Sequence, residues 1–312
     1  MASITQLSPG IRQVSLPFQG EPGIIGSYLL TGENEIAIID PGPGSTYEAL
    51  LASLHEAGLT PEDVTHLVVT HVHLDHAGAT GTLLHHMPRA TVYLHSRGAP
   101  HLADTSKLVA SAKRIYGENM QQLWGNIESV PQERMHIVED GDVLRIAGKR
   151  LEVHYAPGHA SHHVIFFDVH SGELFAGDTA GVRLQDIDYV RPPTPPPDLD
   201  LEAWFATIDK IKRLRPDVLY LGHFGPTRNV DLHLTRLREK LITWGEFILN
   251  AMRAGKNEQE IIEQLKAHFD PELKTITRDE KALKRYEIAT NYAMTVQGYM
   301  RYWNKKHPER LH

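Results

Sequence analysis

Over its first two thirds the chain alternates short apolar runs with segments of helical period. Residues Ile24 to Thr31 and Glu35 to Asp40 read as strands, separated by the turn Thr31-Gly32-Glu33-Asn34. Pro41-Gly42-Pro43-Gly44 then stops extended structure, and Ser45 is placed to cap a helix running to about Glu56. The apolar run His66 to Thr70 leads directly into His71. Thr91 to Leu94, Arg150 to Tyr155, Val164 to Asp168, Glu173 to Ala176 and Val218 to Leu221 also read as strands, with helical segments between several of them. This order predicts an α/β architecture whose sheets are covered by helices.

Two stretches leave that rhythm. Asp104 to Trp124 has an amphipathic helical pattern, with Leu108, Ile115, Met120 and Leu123 among polar residues, and is expected to insert over a pocket. Arg191 to Pro197 carries five prolines and is expected to be a stiff extended loop. Beyond Pro226 the pattern is helical to the end. Asn257 with Glu260 has capping-box spacing, for a helix through Phe269. Tyr286, Ala289, Ala293, Val296, Met300 and Trp303 recur at three- and four-residue steps, which marks one face of a helix. That face is expected to pack on the main domain, with dimerisation through the C-terminal helices as the second reading. The domain division is 1–230 for the catalytic part and 231–312 for a helical extension.

Composition narrows the function. A chain of 312 residues with 41% hydrophobic residues can bury a large core. The net charge of -7 and the lack of a basic stripe argue against a nucleic-acid partner. No apolar run approaches the roughly 18 residues that span a bilayer, and the N-terminus lacks a secretory pattern. The expected setting is cytoplasmic, away from membranes, with a small-molecule substrate. With no cysteine there is neither thiolate ligation nor a Cys nucleophile, so any metal must be held by His and carboxylate. The 20 histidines therefore invite a search for clusters.

Thr70-His71-Val72-His73-Leu74-Asp75-His76-Ala77-Gly78 places four metal-competent side chains within six residues, directly after a strand. Imidazole nitrogen and carboxylate oxygen suit zinc and similar divalent ions. A turn at a strand end can aim His71 and His73 at one ion and leave Asp75 and His76 for a second. Three later motifs, each also at a strand end, are Pro157-Gly158-His159, Gly177-Asp178 and Gly222-His223.

In these motifs, in their order and local context, residues from about 11 to 230 resemble the metallo-β-lactamase superfamily. The resemblance implies an αββα sandwich with an added C-terminal helical region. It places His71, His73 and His159 on a first metal, and Asp75, His76 and His223 on a second. Asp178 bridges the two. The implied cofactor is a pair of divalent ions, zinc first, with iron, manganese or cobalt compatible. The implied reaction is hydrolysis of an ester, thioester or lactone by a metal-bridging hydroxide, with Asp75 orienting it or passing a proton to the leaving group. Asp178 stands where true β-lactamases of the superfamily lack a bridging aspartate, which disfavours antibiotic hydrolysis. His73 stands where flavodiiron oxygen reductases carry a glutamate. The full ligand set resembles glyoxalase II thioesterases, lactonases and the ribonuclease branches, and the acidic balance without an evident RNA-binding module counts against the ribonucleases. A mononuclear iron enzyme akin to persulfide dioxygenases and a binding or regulatory protein with little turnover are the alternatives.

Weaker candidates accompany the ligand set. Tyr189 follows the Asp178 strand in a loop within reach of the site, and because related lactonases use a tyrosine as an oxyanion donor it is a candidate for that role. His163 and Asp40 are read as supports behind the ligands. His162 is read as structural or exposed, and His85, His86, His95, His101 and His170 as surface or packing residues.

Overall fold

Two twisted sheets form the centre of the computed structural model, which describes residues 3–311. The first contains β1 (Ser3–Ser8), β2 (Ile11–Phe18), β3 (Glu21–Thr31), β4 (Ile36–Ile39), β5 (Val64–Val68), β6 (Thr91–His95) and β7 (Met135–Val138), side by side in chain order. It is antiparallel up to β4 and parallel from β4 to β7. The second contains β8 (Val143–Ile146), β9 (Lys149–Tyr155), β10 (Val164–Asp168), β11 (Glu173–Gly177) and β12 (Val218–Leu221), in the order β12-β11-β10-β9-β8. Within it, only β11 and β12 pair in parallel.

The sheets face each other across an apolar layer that includes Tyr28, Leu30, Ile39, Val68, Val153, Phe166, Phe175 and Tyr220. Each outer face is covered by helices. On the first sheet lie α1 (Tyr47–Glu56), α2 (Leu74–Ala77), α3 (Thr80–Leu84), α4 (Ala99–Ala103), α5 (Ser106–Tyr116) and α6 (Met120–Trp124). On the second lie α7 (Leu201–Leu214), α8 (Val230–Arg253), α9 (Glu258–Ile276) and α11 (Tyr292–Lys306), while α10 (Ala282–Ala289) packs against β3. The architecture is an αββα sandwich with additional C-terminal helices. Burial of both faces explains why strands such as β10 and β11 do not alternate and are apolar apart from Asp168 and Glu173 at one end of each.

Several elements differ from the sequence reading. Strands β1, β7 and β8 are short or lie at edges, and in the interior strand β2 Arg12, Gln13 and Ser15 interrupt the apolar signal. Ser45 sits inside a 3-10 turn, and its hydroxyl donates to the Leu123 carbonyl at 2.7 Å instead of capping α1. The 104–124 stretch is broken between α5 and α6 at Gly117, whose φ of 55° no side chain favours. The C-terminal stripe belongs to two helices, not one. The chain leaves α10 at Thr290, and Asn291 caps α11 by accepting from Met294 N at 2.7 Å. The box at Asn257 and Glu260 is present, and its helix continues past Phe269 to Ile276.

The tail does not stand apart from the sandwich. Leu234, Leu237, Leu241, Trp244 and Val296 are fully buried in the same cluster as Ile165, Leu174 and Leu219 of the second sheet. The stripe itself faces this chain: Tyr286 and Trp303 are buried within it, so those side chains are not free to meet a second copy. No helix among the described residues is long and apolar enough to cross a membrane.

Candidate metal centre

Each sequence motif follows a strand whose C-terminal end reaches the same rim of the sandwich. His71, His73, Asp75 and His76 follow β5, while His159, Asp178 and His223 follow β9, β11 and β12. The close convergence depends on glycine. A Cβ on Gly177 would lie 2.6 Å from Thr70 Oγ1 and 2.7 Å from His163 Nε2. One on Gly222 would lie 2.4 Å from His76 Cε1. These contacts give a steric reason for a glycine before Asp178 and before His223.

The seven side chains fall into two groups in which every potential ligand atom lies within 4.8 Å of the others: His71, His73 and His159, and Asp75, His76, Asp178 and His223. Asp178 faces both. Its Oδ2 is 3.5 Å from His159 Nε2, while its Oδ1 is 3.2 Å from His76 Nε2 and 3.5 Å from His223 Nε2. Asp75 Oδ2 is 3.1 Å from His223 Nε2 and 3.8 Å from His76 Nε2.

Surrounding acceptors fix which imidazole nitrogen points inward. His76 Nδ1 donates to Asp40 Oδ2 at 2.9 Å, His159 Nδ1 to the Pro193 carbonyl at 2.8 Å, and His223 Nδ1 to the Ile24 carbonyl at 3.0 Å. With the proton held on Nδ1, each Nε2 lone pair faces the centre. Asp40 is itself anchored, accepting from Thr70 N at 2.8 Å and from Thr70 Oγ1 at 2.7 Å. His163 Nε2 accepts from Asp178 N at 3.2 Å, so it holds the backbone of the facing aspartate. His162 is buried, and its Nδ1 accepts weakly from Val72 N at 3.4 Å. Neither joins the ligand groups.

The donor set fits divalent cations on its own chemistry. His71 Nε2, His76 Nε2 and Asp178 Oδ1 are buried and make no hydrogen bond, an arrangement that costs free energy unless something else satisfies them. Burial and neighbouring imidazoles hold His71 well below the ordinary histidine range, and burial takes His73 down to about 4. These rings are neutral, as ligands must be. At His76 and His223 burial opposes protonation, but Asp178 and Asp75 outweigh it and raise both. Asp75 and Asp178 stay below the usual carboxylate range despite burial, because those same imidazoles face them. The cluster therefore concentrates negative charge that cations can take over from protons.

The centre opens into a cleft of about 260 Å3. Its walls come from α5 and α6 (Leu108, Ile115, Tyr116, Trp124), from the proline loop (Pro193, Pro195 to Pro197) and from the α10–α11 junction (Ile288, Thr290, Met294). Tyr189 is not on these walls. It is buried against Tyr286 and Leu273 and borders a separate depression with Arg236 and Lys240, because the loop after β11 turns its ring toward the tail helices. The cleft instead presents Tyr116, which stands edge-on to Trp124. Burial and the charge of Asp75 raise the Tyr116 phenol to about 12, so it remains a neutral donor. Sequence reading assigned its segment to the pocket but gave this tyrosine no role. The Pro193 and Ile24 carbonyls carry no residue-type signal and become visible only in the folded structure.

Residues 20–223 match the family model of the metallo-beta-lactamase superfamily. The chain belongs to this superfamily. Within it, a metallo-beta-lactamase fold-containing protein of Sulfurisphaera tokodaii is 27% identical over 227 residues, covering 70% of this chain and 80% of that protein. A hydroxyacylglutathione hydrolase of Salmonella paratyphi A is 28% identical over 151 residues, which is 48% of this chain and 45% of that enzyme. In three dimensions a metallo-beta-lactamase family protein of Thermus thermophilus shares the fold with a TM-score of 0.71 at 24% identity, over 96% of this chain and 95% of that one. That likeness extends beyond the family-model region and takes in the tail helices. A subclass B3 metallo-beta-lactamase from a soil metagenome shares the fold with a TM-score of 0.55 at 17% identity, over 75% of this chain and 92% of that one.

Proposed function

We propose that this protein is a dinuclear metal-dependent hydrolase that cleaves a carboxylic ester, thioester or lactone. The observation that carries the reading is Asp178, with one carboxylate oxygen facing each of two complete ligand groups at the floor of a cleft. His71, His73 and His159 would hold one ion; Asp75, His76 and His223 the other. Two divalent cations, zinc first, would supply Lewis acidity toward a substrate carbonyl and bring the pKa of water toward neutrality. The similarity to a hydroxyacylglutathione hydrolase supports acyl chemistry.

The chain's own residues supply the rest. Asp75 is the most exposed carboxylate of the set, with its side chain 20% accessible against 4% for Asp178. It is placed to take a proton from the attacking water and deliver it to the leaving group. Tyr116, on the Asp75 side of the cleft, is the hydroxyl donor for the carbonyl oxygen as negative charge develops there. His163, Asp40 and the Pro193 and Ile24 carbonyls hold the ligands in register, so little reorganisation accompanies the reaction.

The test is metal content and initial rates on one reconstituted sample, assayed with a lactone, a thioester, an aryl ester and a phosphodiester. The expected result is two ions per chain and turnover of at least one acyl substrate. One ion or fewer at saturation would remove the dinuclear assignment. Oxygen consumption with a thiol persulfide, in place of hydrolysis, would move the protein to the mononuclear iron reading.

A further inference from the structure

Charge on the cleft walls bears on what the hydrolase accepts. Among the described residues that line the cleft there is no lysine and no arginine. The one lining carboxylate outside the ligand groups is Glu287, and it is already matched: its oxygens lie 3.6 Å from Arg191 Nη2 and 3.4 Å from Lys266 Nζ. The remaining wall is largely apolar. Leu108, Ile115, Leu123, Trp124, Ile288 and Met294 surround the approach to His73 and Asp75. Ile115 is 49% exposed at this wall, an apolar side chain left partly in water beside the cleft.

Phosphodiesters, nucleotides and glutathione conjugates all bring anionic groups beyond the reacting centre. Sites for such groups ordinarily supply arginine, lysine or a cluster of backbone N–H donors. Here the wall offers such anions only neutral donors, from Gln19, Ser111, Tyr116, Thr290 and Asn291, and no cation, so their desolvation is poorly compensated. An uncharged hydrocarbon chain meets the opposite situation, because each methylene leaves water for apolar side chains.

We infer that the substrate is an uncharged ester, thioester or lactone with an apolar acyl chain lying between α5–α6 and the α10–α11 junction. This rests on the hydrolase reading and sets it apart from glutathione thioesters and phosphodiesters. It further assigns Ile115, Leu108 and Met294 to chain-length selection, because they are apolar lining residues that belong to neither ligand group.

The experiment uses the full-length, metal-reconstituted protein. Its first arm is a p-nitrophenyl ester series from acetate to decanoate, with matched esters that end in a carboxylate. The expected kcat/KM rises by about two- to fourfold per methylene until the wall is filled, and the terminal carboxylate lowers it by about tenfold or more. A flat series, or equal turnover of the carboxylate-ended esters, overturns the inference. The second arm is Ile115→Lys, at an exposed position where folding tolerates the change. It should flatten the chain-length series and narrow the discrimination against the terminal carboxylate. An unchanged profile removes Ile115 from the chain wall. The third arm is calorimetric binding of uncharged alkanamides of increasing length. Affinity that climbs with length while no ester is turned over sinks the hydrolase reading and keeps the apolar ligand. Affinity independent of length sinks the ligand class whatever the turnover.

Discussion

Asp40 touches no position in either ligand group except His76, yet its two oxygens are not interchangeable. Oδ1 accepts from Thr70 N, while Oδ2 accepts from both Thr70 Oγ1 and His76 Nδ1. In Asp40→Asn the oxygen can keep the first bond, but the amide then presents N–H to the His76 Nδ1 proton. His76 must shift its proton to Nε2 or rotate, and either change removes the lone pair from the centre. Metal affinity of the Asp75, His76 and His223 group should fall by about 10- to 100-fold, with the fold retained because the Thr70 N bond remains. Competition against a calibrated chelator measures this, and wild-type affinity for both ions would exclude the tautomer role. The two tyrosines separate at the same scale. Tyr116→Phe should lower kcat by about 100-fold if its hydroxyl meets the developing oxyanion, with metal content unchanged. Tyr189→Phe should leave kcat near wild type, since that ring is packed among tail residues. The reverse ranking would restore Tyr189 to the site. The candidate ligand residues that the fold brings together were legible in the sequence because His and Asp at strand ends are chemically distinctive. Which tyrosine reaches the cleft was not, because that depends on the direction in which each loop leaves its strand.

The proline loop and α11 meet at Gly298, an element-scale contact hidden from hydrophobic periodicity. A Cβ there would fall 1.9 Å from the Thr194 carbonyl oxygen, so the loop lies directly on the helix. Pro193 on that loop accepts from His159, and Pro195 to Pro197 form one wall of the cleft. Gly298→Val must push the loop outward, with an overpacking cost of about 1–3 kcal/mol. The displacement also reaches His159. The expected outcome is a lower denaturation midpoint together with a changed substrate ranking. A variant with lowered stability and an unaltered ranking would show that the loop does not transmit helix position to the cleft. Elements differed in how plainly they could be read. Strands β4, β10, β11 and β12 stood out as dense apolar runs bounded by turns. Edge strands β1 and β8 did not, because exposed positions interrupt them. The stripe from Tyr286 to Trp303 was visible as periodicity, but the interruption at Thr290 and Asn291 was read through, since a short break preserves apolar spacing. That break positions Thr290, Asn291 and Met294 on the cleft.

At the scale of the molecule, the tail and the sandwich share one core, and a single buried histidine joins them at a point sensitive to pH. His233 lies in α8, and its Nε2 donates to the Ala180 carbonyl at 2.7 Å, two residues beyond Asp178. Sequence alone could place the helix but not this contact, because a histidine on a helix carries no sign of what it will face. Burial lowers its pKa to about 4; the Ala180 carbonyl and Asp188 oppose that fall, and Arg183 and Arg236 add to it. An unfolded chain protonates this ring near its ordinary value of 6.5, whereas the folded protein resists until about 4. Stability from this residue is therefore complete above pH 6.5 and declines as pH falls toward 4, where the loss levels off. By about pH 5 the loss should reach about 2 kcal/mol. His233→Gln can keep a donor near the Ala180 carbonyl and cannot titrate. Denaturant unfolding of both proteins at a series of pH values isolates the effect, because every other histidine is common to the two. The wild type should lose stability more steeply than the variant between about pH 6.5 and 5, by about 2 kcal/mol over the interval. Parallel curves would mean that this ring does not govern how the tail and the sandwich respond to acid.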